Sequence, residues 1–73
     1  MRRQLPVGTK VKFNIAQGLD SGIARILDSS IELEDGKEYL YYLLEVLEGN
    51  GDAHRNKDGE LWVCDFEVNA TVK

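Results

Sequence analysis

Apolar and polar residues alternate with a period of two near the start of the chain. In residues 7–15 the apolar side chains share one side, namely Val7, Val11, Phe13 and Ile15. The opposite side is polar and consists of Lys10, Lys12 and Asn14. This pattern predicts a half-buried strand. Two glycines and an Asp-Ser pair in residues 16–22 then predict a loop.

Two further strands are predicted before the middle of the chain. The first is Ile23–Leu27, and the second is the alternating Ile-Glu-Leu-Glu stretch at residues 31–34. Asp35 and Gly36 separate this stretch from the next apolar run, as the two central residues of a tight hairpin do. The first half of the chain therefore reads as a succession of short antiparallel strands.

The segment 38–48 fits two structures. As a helix it places four leucines on one face, and these are Leu40, Leu43, Leu44 and Leu47, with Gly49 as a C-terminal cap. As a strand it gathers a different set on one face, Leu40, Tyr42, Leu44 and Val46. We favour the strand because the segments on either side are strand-like and a single helix would interrupt a meander. The pattern leaves open which face of that strand is buried.

Alternation returns near the end of the chain, after a polar, glycine-bounded loop at residues 49–59. In residues 61–68 one side consists of Trp62, Cys64, Phe66 and Val68. This predicts one last long strand, or a strand, a short turn and a fifth strand. Trp62 is then a structural core residue, and Cys64 is a small, inert, buried one.

Length and composition predict one small folded domain. The chain has 73 residues, which suffices for a single core, and we place the domain at 7–73 after an N-terminal arm at 1–6. With one cysteine the domain forms no internal disulfide, which favours the reducing cytoplasm. No apolar run follows Arg2 and Arg3, so neither a signal peptide nor a membrane span is predicted.

Three stretches of the chain have a spacing found in a group of small barrels. They are Gly-Thr-x-Val-x-Phe at residues 8–13, Gly-Ile-Ala-Arg-Ile at 22–26 and Leu-Trp-Val-Cys-Asp-Phe-Glu-Val at 61–68. This spacing resembles that of Src-homology-3-like (SH3-like) barrels, including Tudor and KOW modules, over most of residues 7–68. The resemblance implies an all-β fold, a small five-stranded SH3-like barrel closed by Trp62, Val63 and Val68. The alternative is an α+β fold with a helix at 38–48 packed on a small sheet.

The specific activities of these families do not carry over, and no catalytic constellation is recognisable. The methyl-lysine cage of Tudor modules and the proline groove of true Src-homology-3 domains are not recognisable. A related small-barrel enzyme family, the plasmid-type dihydrofolate reductases, has a Val-Gln-Ile-Tyr strand motif that this chain lacks. The lone His54 and the lone Cys64 do not make a common zinc site. We therefore expect a non-enzymatic module without cofactor or metal.

A protein-binding or self-associating module is the first functional hypothesis. On the strand interpretation, the segment 38–48 is apolar on both faces, and a small barrel covers only one face with its own core. The other face bears the candidate partner-binding residues Tyr39, Tyr41, Leu43 and Leu47. A homodimer is the simplest closed assembly that would bury them, and a different protein partner is the other possibility.

A nucleic-acid-binding module of the KOW type is the alternative hypothesis. Its contacts would be the basic residues Arg2, Arg3, Lys10, Lys12 and Arg25. Residues 1–20 carry four bases against one acid, whereas residues 21–73 carry twelve acids against five bases. The net charge of −4 and the isoelectric point near 4.8 argue against it, since affinity for phosphate comes mainly from positive charge.

Overall fold

The fold was obtained as a computed structural model that describes residues 4–70. Its five strands are β1 (Lys10–Ile15), β2 (Asp20–Glu34), β3 (Lys37–Asn50), β4 (Leu61–Cys64) and β5 (Val68–Asn69). Short 3₁₀ turns lie at Ala16–Gly18, Asp52–His54 and Asp65–Glu67, and residues 4–70 contain no α-helix. The all-β prediction is confirmed. Within this described range there is no helix of the length and apolarity that a membrane crossing requires.

All five strands form one antiparallel sheet in the order β4-β3-β2-β1-β5. β4 and β5 are therefore the two edge strands, and they do not pair with each other. The sheet of five strands agrees with the prediction, but it is not closed into a barrel.

The segment 38–48 is a strand, and the helical alternative is wrong. It lies within β3, which pairs with β2 along its length and with β4 at residues 41–44. The hairpin before it closes through Asp35 and Gly36, whose φ angles are 52° and 78°. Positive φ at both central residues matches the right-handed twist of the flanking strands, and Asp-Gly favours it. The turn chemistry and the pairing with β2 and β4 therefore agree on a strand.

The two predicted strands at 23–27 and 31–34 are parts of one long strand, β2. Ile26 lies opposite Leu44, but Asp28 lies opposite Leu43, so Leu27 is an extra residue in a β-bulge. A bulge reverses which side chains face the core, because the alternation of a strand has a period of two. The change of phase at Leu27 is why the sequence pattern suggested two separate strands.

One face of the sheet, called the inner face here, carries the core. Nine apolar residues are buried there: Val11, Phe13, Ile15, Ala24, Ile26, Tyr42, Leu44, Leu61 and Val63. The face of β3 left open by the sequence is therefore settled, since Tyr42 and Leu44 are buried and Leu40 and Val46 pack beside them. The N-terminal arm also contributes, because Leu5 packs on this core and its amide donates to the Tyr42 hydroxyl at 2.8 Å.

The prediction that Trp62 is a core residue is wrong. Leu61 and Val63 are the buried residues of β4, whereas Trp62 and Cys64 are only half-buried on the opposite, outer face. The 3₁₀ turn at Asp65–Glu67 interrupts the alternation directly after Cys64. Phe66 is 75% exposed and therefore does not continue the face of Trp62. Its spacing from Trp62 consequently could not indicate which face of β4 is buried.

Gly22 on β2 and Gly49 on β3 lie opposite each other, where the two backbones approach closely. A Cβ atom on Gly22 would lie 2.0 Å from the carbonyl oxygen of Glu48. We expect Gly22→Ala to lower the free energy of unfolding by ~1–3 kcal/mol, because the backbones must separate. Chemical denaturation measures this. Gly59→Ala is the control, since Gly59 also has a positive φ but has open space around it, and an equal loss in both variants would contradict the steric explanation.

Candidate partner-binding surface

The structure brings three of the four predicted partner-binding residues together on the outer face. Tyr39, Tyr41 and Leu43 are alternate residues of β3 whose neighbours Tyr42 and Leu44 point into the core. Leu47 lies four residues beyond Leu43, about 13 Å along the strand. It is the unpaired residue of a second bulge, because Ile23 pairs with Glu48 and Ala24 with Val46.

Trp62 completes this surface, and sequence reasoning missed it. Leu43 is directly opposite Trp62 across the β3–β4 ladder, and Tyr41 is opposite Cys64. We call Tyr39, Tyr41, Leu43 and Trp62 the aromatic strip. Tyr39 is 41% exposed, and the other three are half-buried because β4 and β3 partly cover each other's side chains. Local alternation could not indicate the face of Trp62, because Leu61 and Val63 are as apolar as Trp62 and Cys64. Either pair could have faced the core.

Carboxylates surround the aromatic strip. The Tyr41 hydroxyl donates to Glu34 Oε2 at 3.4 Å, and the indole Nε1 of Trp62 donates to Glu60 Oε1 at 3.3 Å. Tyr41 and Trp62 also line a hollow of about 410 Å³ together with Glu32 and Glu34. The hollow thus offers two aromatic rings and several acceptors, which suits a ligand that is both apolar and cationic.

The environment raises the pKa of two groups on this face. Burial raises the pKa of Tyr41 above 10.0, and the charge of Glu34 raises it further, so Tyr41 keeps its proton and can donate to Glu34. Burial also raises the pKa of the Cys64 thiol above 9.0, with additional contributions from Glu67 and Asp65. Both shifts disfavour an anion in an already acidic environment.

We expect Cys64 to react slowly with iodoacetamide in the folded protein. The thiolate is the reactive form, and a raised pKa lowers its fraction at any pH below that value. The rate should therefore keep rising above pH 9.0, and denaturant should accelerate the reaction near neutral pH by removing both burial and the acidic neighbours. Mass spectrometry of the alkylated chain measures this. Equal rates in folded and unfolded protein would contradict the prediction.

Three residues of the alternative nucleic-acid surface also lie together on the outer face, on its β1–β2 half. Lys10 is directly opposite Arg25, and Lys12 lies two residues further along β1. All three are exposed. Arg25 Nη1 lies 3.7 Å from Glu45 Oε1, which partly neutralises this basic cluster. Arg2 and Arg3 lie outside the described residues.

A buried Asp-His pair is the second feature that the sequence did not indicate. Asp20 is fully buried at the start of β2, and its Oδ2 lies 2.7 Å from Nδ1 of His54 in the loop before β4. Within residues 4–70, Asp20 Oδ1 is a buried side-chain oxygen without a hydrogen-bond partner. The pair holds the loop on the sheet. Over the same residues, no group of His, Cys, Asp and Glu side chains could hold a metal ion.

Comparison with known proteins found no matching family model, no matching curated protein and no matching solved structure.

Proposed function

We propose that this protein is a non-enzymatic interaction module that binds a basic segment of a protein partner on the aromatic strip. The observation that carries the proposal is the shared hollow of Tyr41 and Trp62, with the carboxylates of Glu32 and Glu34 on its wall. A lysine or arginine side chain over an aromatic ring gains about 0.5–2 kcal/mol, and the carboxylates add attraction. The hairpin between β2 and β3 carries further negative charge beside this hollow.

That hairpin carries four acids against the single base Lys37, and we call them the acidic tip: Glu32, Glu34, Asp35 and Glu38. A second copy of the chain bound through the same strip would bring its own Glu34 and Glu60, the carboxylates that contact Tyr41 and Trp62, into the same interface. Like charges facing each other oppose such a dimer, whereas they attract a basic partner. The charge distribution therefore favours a different protein over the homodimer.

Trp62 allows a direct test because it is the one tryptophan of the chain. Hexalysine and hexaarginine should each produce a saturable change in Trp62 fluorescence, and hexaglutamate should produce none. Glu34→Gln should weaken the response, because it removes a charge beside Tyr41. The matched control is Glu48→Gln, which removes the same charge from an exposed position near the other end of β3.

Two outcomes would overturn this proposal. Equal weakening by Glu34→Gln and Glu48→Gln would mean that net charge alone attracts the peptides, without a specific site. A molecular mass by light scattering that rises with protein concentration, and falls again in Tyr41→Glu, would assign the strip to a homodimer instead.

Binding of nucleic acid is the second candidate function, favoured by the grouping of Lys10, Lys12 and Arg25 on one face. An electrophoretic mobility shift with a single-stranded oligonucleotide tests it, since binding through phosphates weakens steeply with salt. Lys12→Glu should abolish the shift, and Lys57→Glu, an equal change in the exposed loop, should not. No shift at low salt would remove this candidate.

A further inference from the structure

β3 has a backbone edge that β4 covers only in part. β4 pairs with residues 41–44 of β3 and then ends at Cys64, where the 3₁₀ turn interrupts the strand. Among residues 4–70, no strand pairs with Lys37–Leu40 on this side, although β2 pairs with them on the other. Lys37 closes a two-residue hairpin with Glu34, so its own N–H and C=O point toward β2. By alternation, the N–H and C=O of Glu38 and the N–H of Leu40 point to the open edge, whereas the C=O of Leu40 faces the amide of Asp65 in the register that pairs Tyr41 with Cys64.

An apolar groove runs beside this open edge. It has a volume of about 580 Å³, and its apolar lining is Ile31, Tyr39, Leu40 and Phe66. Ile31 lies directly opposite Leu40 across the hairpin and is 56% exposed, and Phe66 is 75% exposed. Leu40 also packs on the core, so the groove continues the inner face beyond the buried region. Edges with exposed apolar neighbours are where an additional strand pairs.

We propose that an extended segment of a partner protein binds at this edge as an added strand, next to residues Lys37–Leu40. The main chain of the segment would hydrogen-bond to Glu38 and Leu40, and every second side chain would enter the groove between Ile31 and Phe66. Backbone pairing supplies affinity, while the groove selects side chains at alternate positions.

The charges beside the groove define the chemistry of this segment. The charged residues that line the groove are Glu38, Asp65 and Lys37, two acids against one base, and the rest of the acidic tip lies beside it. Inner-face and outer-face positions alternate along an added strand, and Tyr39 and Tyr41 mark the outer face. The segment therefore alternates apolar residues, which enter the groove, with Lys or Arg, which face the aromatic strip. This extends the proposed function by giving the partner segment its conformation and its residue pattern.

Two hexapeptides of equal composition test the pattern. In one, lysine and valine alternate, and in the other, three lysines precede three valines. The alternating peptide should bind about tenfold more tightly, because only it separates apolar from basic side chains on an extended strand. It should also slow hydrogen exchange of the Glu38 and Leu40 amides, measured by NMR. Equal affinity of the two peptides, or unchanged exchange at both amides, would overturn the added strand.

A variant pair separates this inference from the proposed function. Phe66→Ser should weaken binding of the alternating peptide about tenfold, while leaving the Trp62 response to hexalysine unchanged. Leu19→Ser is the matched control, because Leu19 is also strongly exposed, at 62%, but lies in the turn before β2. Neither side chain supports the core, so both variants should fold. A last outcome would refute the aromatic strip and leave the added strand standing. In it, hexalysine does not change the fluorescence of Trp62, but the alternating peptide still slows hydrogen exchange of the Glu38 and Leu40 amides.

Discussion

Replacing His54 with alanine is expected to lower the free energy of unfolding by about 3 kcal/mol, because it leaves the buried Asp20 carboxylate without its hydrogen-bond partner. The Asp20 carboxylate is fully buried and Nδ1 of His54, at 2.7 Å, is its hydrogen-bond partner. A domain of this size has a total stability of roughly 4–10 kcal/mol, so the loss is a large fraction of it. Urea denaturation followed by Trp62 fluorescence measures the change.

A double variant distinguishes the buried charge from a general loss of packing. Asp20→Asn combined with His54→Ala removes the charge that the single variant leaves unpaired, so it should be more stable than His54→Ala alone. Arg55→Ala is a useful control, because Arg55 pairs with the exposed Asp52 in the same loop. This substitution should lower the free energy of unfolding only slightly. A His54→Ala protein as stable as the wild type would contradict the prediction, because water would then supply the hydrogen bonds of Asp20.

Leu61→Ala is expected to destabilise the protein by ~2–5 kcal/mol, whereas Trp62→Ala should cost only about 1 kcal/mol. Leu61 is fully buried, and truncating it leaves a cavity beside Leu44 and Val63, while Trp62 is half-buried on the outer face. Thermal melts followed by far-ultraviolet circular dichroism give both values without relying on the tryptophan signal.

Leu61→Ala and Trp62→Ala should also separate an effect on stability from an effect on peptide binding. Trp62→Ala should lose affinity for basic peptides while remaining folded, since Trp62 belongs to the aromatic strip. Measurement of peptide binding by calorimetry checks this, because the variant has no indole. The reverse ranking of the two stabilities would place Trp62 in the core and contradict the structure of β4.

Part of the candidate surface could be predicted from local alternation alone. Tyr39, Tyr41 and Leu43 share a face in any strand over residues 38–48, whatever lies on either side of it. Trp62 could not be placed in the same way, because both phases of residues 61–64 are apolar. Leu47 was grouped with the others only because no local signal marks the bulge that displaces it.

The Asp-His pair was beyond sequence reasoning for a different reason. Asp20 stands in a glycine-rich stretch that is typical of an exposed loop, and His54 is 34 residues away in another polar segment. Nothing in either segment indicates burial, because the burial results from the loop before β4 lying against the start of β2. A contact between two polar loops has no periodicity from which it could be inferred.

The sequence by itself determined the Asp35-Gly36 hairpin and the strands that alternate cleanly, and it favoured the all-β class, because these depend on side-chain period and on the φ angles that turn residues allow. Only the tertiary structure decided the continuity of β2, the face on which Trp62 lies, the burial of Asp20 and the open edge of β3. These depend on bulges, on where β4 stops pairing and on which loop covers which strand. Each is a contact between distant segments, whose energy no local pattern contains.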